Sequence, residues 1–134
     1  MRALPWPDHL LTLDEWIALP EGSPFWLELV EGVLIVAPRP RTLHQRAVTR
    51  LAYLVEQQLP DRFAASAQVE LVIADKPLPT VRVPDVVVVD TAFAMANPAR
   101  CAAGDVRLVI EASCEGSVRT DRVAKLAEYA EVGI

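Results

Sequence analysis

Two short apolar segments of this chain each carry one carboxylate: Val83-Pro84-Asp85-Val86-Val87-Val88-Val89 and Leu108-Val109-Ile110-Glu111-Ala112-Ser113. Burying a carboxylate without a partner costs several kcal/mol, so an acid in such a run needs a hydrogen bond, a cation or a metal. Two such acids suggest a metal site. Oxygen ligands of this kind suit Mg²⁺ or Mn²⁺, which keep several waters and take phosphate oxygens as further ligands. An ion held there would activate water and neutralise charge on a phosphoryl transition state. The plain alternative for Asp85 is a strand-start or turn residue after Pro84. Glu111, between Ile110 and Ala112, has a weaker one. Side chains alternate along a strand, so Glu111 and Ser113 share a face. If the two strands are neighbours, both carboxylates meet at one sheet edge.

Other residues could join them, each with a purely structural alternative. His44 shares a helical face with Val48, Leu51 and Val55. It reads equally as a hydrogen-bonded histidine at the core edge and as a water- or phosphate-contacting group near a helix N-terminus. Glu28 and Glu31 differ by an odd number, so strand alternation sends at most one of them into the site, with Glu28 the candidate. Lys125 has Asp121 at i−4 and Glu128 at i+3, the spacing of an ordinary solvated ion pair. Between Glu31 and Glu56 there is no acid, while Arg39, Arg41, Arg46 and Arg50 fall there. That is a phosphate-tracking surface or a solvated face.

The elements that must position these groups follow from caps and periodicity. Thr12-Leu13-Asp14-Glu15 has the form of a capping box ahead of a short helix ending at Pro20. Phe25 to Val36 reads as a hairpin turning at Glu31-Gly32. Thr42 and Gln45 suggest a second capping box for a helix carrying Leu43, Ala47, Val48, Leu51, Leu54, Val55 and Leu59 and closed by Pro60. Gln68 to Ile73 and Val81 to Asp90 read as two paired strands, the second buried on both faces through Val86 to Val89. Ala92 to Asp105 reads as a loop with a short helical turn. Val106 to Ser113 is a strand and Val118 to Val132 a helix. This order fits an α/β fold with a mixed sheet flanked by helices.

At 134 residues and 52% hydrophobic content, the chain is expected to form one domain spanning 1–134. No apolar run reaches the roughly 18 residues of a membrane span, and the N-terminus lacks a secretory pattern, so a soluble cytoplasmic protein with no membrane partner is expected. Cys101 and Cys114 lie in no metal-binding spacing and read as free thiols. The net charge of −5 argues against general adhesion to nucleic acid without excluding a local basic surface.

Several motifs together resemble the Uma2 (DUF820) branch of the PD-(D/E)xK nucleases: Leu27-Glu28-Leu29-Val30-Glu31-Gly32, His44 at a helix start, Val83-Pro84-Asp85-Val86, Val109-Ile110-Glu111-Ala112-Ser113, and Asp121, Lys125 and Tyr129 before Val132-Gly133-Ile134. The resemblance implies a restriction-endonuclease-like fold, Mg²⁺ or Mn²⁺ held by Asp85 and Glu111, and hydrolysis of DNA phosphodiesters. It makes Lys125 the candidate for the cationic role, because Ser113 stands where the wider superfamily carries a lysine. His44 and Glu28 become auxiliary site residues, DNA the expected partner and a homodimer the expected assembly. It also implies that the chain is truncated at its C-terminus, short of a further strand. The alternative reading is a catalytically inactive nuclease-fold domain acting in oligomerisation or in protein or nucleic-acid binding, which Ser113 and the acidic charge favour.

Overall fold

The computed structural model describes residues 6–112 and 119–134, with side chains in the second range from Arg122 onward. Ser113, Cys114 and the side chain of Asp121 lie outside the described residues. The elements in chain order are α1 (Leu13–Ile17), β1 (Phe25–Val30), β2 (Val33–Pro38), α2 (Thr42–Gln58), β3 (Phe63–Ala67), β4 (Glu70–Ala74), β5 (Thr80–Arg82), β6 (Val86–Asp90), α3 (Thr91–Met95), β7 (Arg100–Ala102), β8 (Val106–Ile110) and α4 (Arg119–Glu131). The strands form one sheet ordered β2-β1-β5-β4-β7 and a second ordered β3-β6-β8. Among the described residues β4 and β7 pair in parallel and the other pairings are antiparallel.

Local chemistry explains most of the boundaries. Thr12 accepts from the Glu15 backbone and Glu15 reaches back to Thr12, so α1 has the reciprocal cap expected. The β1–β2 hairpin turns on Glu31 and Gly32, both at positive φ (47° and 79°), as a two-residue turn between twisted strands requires. Gly32 cannot be replaced cheaply, because an added Cβ would sit 3.1 Å from Leu10 Cβ and 3.2 Å from the Leu11 carbonyl. For α2 the expected cap is wrong by one residue. Arg41 is the N-cap and offers no side-chain bond, while Thr42 already lies in the helix.

The largest departure from expectation is at Val81 to Asp90, which is two strands in two sheets rather than one. β5 ends at Arg82, the chain crosses at Val83-Pro84-Asp85, and β6 begins at Val86 as the centre of the second sheet. Pro84 has no N–H to offer a ladder, so the break falls where a central strand could not continue. A second crossing runs from β3 to β4 through Gln68, at φ 58°, and its N–H donates to the Asp85 carbonyl at 3.3 Å. The two crossings form a seam. Two further strands, β3 and β7, also lie where no strand was expected. Val86 to Val89 are all buried, as the run of valines implied.

Two apolar clusters make up the core. Leu71, Val87, Val89, Cys101, Val106 and Tyr129 form one cluster, and Leu11, Trp16, Leu29, Leu34 and Val81 form the other. Cys101 is a buried free thiol. Helix α2 packs against β3 and buries Val48, leaving Leu43 and Leu54 largely exposed. Its buried stripe is narrower than its apolar one. No helix among the described residues is long and apolar enough to cross a membrane.

Candidate functional site

β6 and β8 are antiparallel neighbours with Val86 opposite Ile110. Continuing that register one step outward puts Asp85 opposite Glu111, the adjacency that the two acid-bearing segments required. Asp85 is buried, yet both its oxygens are bonded. Oδ1 lies 3.0 Å from His44 Nε2, and Oδ2 accepts the Ala112 N–H at 2.7 Å. A carboxylate has about four lone-pair positions, so each oxygen keeps capacity for a cation. His44, from the first turn of α2, is therefore a hydrogen-bonded partner of Asp85, which fits both of its readings.

Glu111 accepts a 2.7 Å hydrogen bond from the Tyr129 hydroxyl, and Lys125 Nζ lies 3.8 Å from its Oε1. Burial raises the Glu111 pKa. Lys125 and Tyr129 oppose that shift, while the charges of Asp85 and Glu28 add to it. Two carboxylates near enough to disfavour each other's charge are an unsatisfied electrostatic arrangement. Burial likewise raises the pKa of Tyr129, as does the neighbouring Glu111 charge, so its hydroxyl stays a donor.

Lys125 is not the solvated helix residue that its spacing suggested. Its ammonium is mostly buried and lies 3.3 Å from Glu28 Oε1 as well as near Glu111. Glu128, the candidate partner at i+3, instead receives two bonds from Arg82, Nε to Oε2 at 2.8 Å and Nη2 to Oε1 at 2.9 Å. Arg82 Nη1 also donates to Glu28 Oε2 at 2.7 Å. Burial would lower the Arg82 pKa, but its bonds to Glu128 and Glu28 outweigh burial and raise it. Glu28 receives the Val83 N–H at 3.3 Å and, through a long 3.5 Å contact, Trp26 Nε1. Glu31 sits in the exposed hairpin turn, so only Glu28 enters the site, as strand alternation required.

The five residues singled out from sequence thus gather at the seam in two bonded groups, His44 with Asp85 and Lys125 with Glu28 and Glu111, coupled by the charge of Asp85 on Glu111. Arg82 was missed. Its signal was present, because a charged residue inside Val81-Arg82-Val83 is the same anomaly as an acid inside a valine run. Four carboxyl groups, Glu28, Asp85, Glu111 and Glu128, gather around two basic side chains, Arg82 and Lys125. Among the described residues no three His, Cys, Asp or Glu side chains form a ready-made ion cage. The donor set is a pair of carboxylates, which suits a hard ion that retains most of its water.

Comparison with known proteins gives this geometry a family. The Uma2 family model, described as "Putative restriction endonuclease", matches residues 13–134. No curated protein matches the sequence. A crystal structure of a "putative nuclease belonging to DUF820" from Anabaena variabilis ATCC 29413 superposes with a TM-score of 0.66 at 22% identity, covering 90% of this chain and 68% of that one. At that identity the likeness concerns the fold, a mixed sheet flanked by helices. With the family match running through every element that builds the seam, the chain belongs to the Uma2 family.

Proposed function

We propose that the chain is a metal-dependent endonuclease that hydrolyses phosphodiester bonds of DNA, with Asp85 and Glu111 holding Mg²⁺ or Mn²⁺. The observation that carries this reading is the juxtaposition of Asp85 and Glu111 beyond the paired ends of β6 and β8, with Lys125 beside them. A bound divalent ion supplies charge neutralisation at phosphate and lowers the pKa of a coordinated water. The protein does the positioning. His44 and the Ala112 N–H fix the two oxygens of Asp85, and Tyr129 fixes Glu111. Lys125 keeps an ammonium at the acid pair, where it can orient the attacking water or stabilise charge developing on the phosphoryl oxygens. Glu28, anchored by Arg82, holds Lys125 in that place. Cytoplasmic DNA as substrate and a homodimer as the assembly belong to the same proposal; sedimentation of the full chain reads the second.

Nicking of supercoiled plasmid with Mg²⁺ or Mn²⁺ tests the reading. Asp85→Asn and Glu111→Gln are expected to fall to background, and Lys125→Met to lose about 10²-fold or more. If both carboxylate variants nick as fast as the parent, the assignment is wrong. The internal bonds already made by both oxygens of Asp85 favour a second reading, a non-catalytic domain. Calorimetry showing no specific divalent binding to the parent would establish that one instead.

A further inference from the structure

A groove of about 320 Å³ opens beside the carboxylate network, between α1, the start of β1 and the starts of β4 and β7. That is the small end of the roughly 300–1,000 Å³ spanned by small-molecule sites. It joins the site directly. Trp26 and Glu28 share a face of β1, and the Trp26 ring edge contacts the same Glu28 Oε1 that binds Lys125. Val83, which also lines the groove, donates to Glu28 two residues before Asp85.

The lining is unusual for this chain. Of its three Trp, three Phe and two Tyr, three residues gather here: Trp16, Trp26 and Phe25, the last 48% exposed. An apolar ring left at the surface beside a catalytic network presents a π face to whatever enters. The charges lining the groove balance, Arg39 and Arg100 against Glu21 and Glu70. They are also held. Glu70 Oε2 receives both Arg100 Nε at 3.1 Å and Trp16 Nε1 at 3.2 Å, and Arg39 is fixed by Nε and Nη2 to the Ser23 carbonyl at 3.2 and 2.7 Å. A neutral groove with aromatic faces and a fixed guanidinium–carboxylate pair suits a flat, neutral, hydrogen-bonding group rather than a bare phosphate. A nucleobase is such a group, and stacking on aromatic side chains is how unpaired bases are held.

We propose that this groove holds an unpaired nucleotide next to the scissile bond, its base against Phe25 and its phosphate near Arg39, so that the site acts on single-stranded or locally opened DNA. The inference rests on the nuclease reading for the word scissile, but its test does not. The full-length protein in EDTA, where no cleavage occurs, is titrated with a fluorescein-labelled 20-mer of thymidylate and with the same strand annealed to its complement. Anisotropy is expected to show at least ten-fold tighter binding of the single strand, with quenching of tryptophan fluorescence. Phe25→Ala is expected to weaken single-strand binding about ten-fold, in line with the loss of one stacked base, and Arg39→Ala to weaken it as well. Arg107→Ala, exposed and paired with Asp90 at the end of β6 away from Asp85, is expected to leave it within two-fold. Both groove positions are exposed, and circular dichroism checks that the variants fold. Equal affinity for duplex, or unchanged binding by Phe25→Ala, overturns the groove while leaving nicking activity to be judged separately. Groove binding without any metal-dependent nicking removes the nuclease reading and leaves the groove standing.

Discussion

Replacing Arg82 is the sharpest test of how the site is held together. Arg82 is 2% exposed and donates at least three hydrogen bonds to two glutamates, one of which, Glu28, is 4% exposed. In Arg82→Met the methylene volume is roughly kept while the charge and the fork of donors are lost. Glu28 is then a buried carboxylate left with Lys125, the Val83 N–H and a long contact to Trp26. Removing one member of a buried ion pair costs about 3–5 kcal/mol. Unfolding entropy near 2.1 cal/mol/K per residue, over 134 residues, turns that cost into a fall in Tm of about 10–18 °C. Arg82→Lys, which keeps a charge but not the planar fork, is expected to fall between parent and Arg82→Met. Thermal unfolding followed by circular dichroism reads all three proteins. The decisive measurement is the double variant: Glu28→Gln placed on Arg82→Met removes the stranded charge and should recover about 1–3 kcal/mol. A Tm within 3 °C of the parent for Arg82→Met, or a further loss on adding Glu28→Gln, refutes the claim that this pair is the buried anchor of the site.

Other outcomes follow from the same geometry. Because burial raises the pKa of Glu111 above its ordinary value of 4.5, its contribution to stability is full below that value and is lost as pH rises through the folded one. Metal-free Glu111→Gln should therefore melt above the parent at pH 7, with the gap closing below pH 4.5; a parent that melts higher at pH 7 contradicts this. His44→Ala leaves Asp85 Oδ1 without its 3.0 Å partner and should cost about 1.5–3 kcal/mol in urea unfolding, an expectation that an unchanged midpoint denies. Gly32→Ala must hold an L-residue at φ 79° against the Leu11 carbonyl and should cost about 1–2 kcal/mol, so a neutral result means that the turn relaxes.

The carboxylate pair was legible because its evidence is local. A run of valines demands a central strand, and an acid at its end must meet whatever lies beside it. Where the reading fell short, the deciding contact was distant or the segment bland. Phe63-Ala64-Ala65-Ser66-Ala67 has little strand character of its own, and it becomes β3 by pairing with the valines of β6. Three-residue β7 exists because β4 offers it a free edge. The split at Pro84 could have been found, since a proline inside an apparently central strand argues against continuity. The contacts of Lys125 with Glu28 and Glu111 could not, because helical spacing offered Asp121 and Glu128 as satisfactory neighbours. Only the fold shows that Arg82 claims that glutamate first.

Helix α4 meets the rest of the protein through an unusual set of fastenings. Val123 and Leu126, the apolar residues that would normally glue such a helix down, are 59% and 62% exposed. Tyr129 is its buried residue, and Lys125, Glu128 and Tyr129 each make a polar attachment, to Glu28 and Glu111, to Arg82, and to Glu111 respectively. Glu111, one of the two acids proposed to hold the metal, is therefore also a clasp of the helix that completes its site. Whatever breaks those clasps loosens the helix and disassembles the centre in one event. Competence and docking of α4 are then a single equilibrium, visible as amide exchange along the helix before the sheets themselves begin to open.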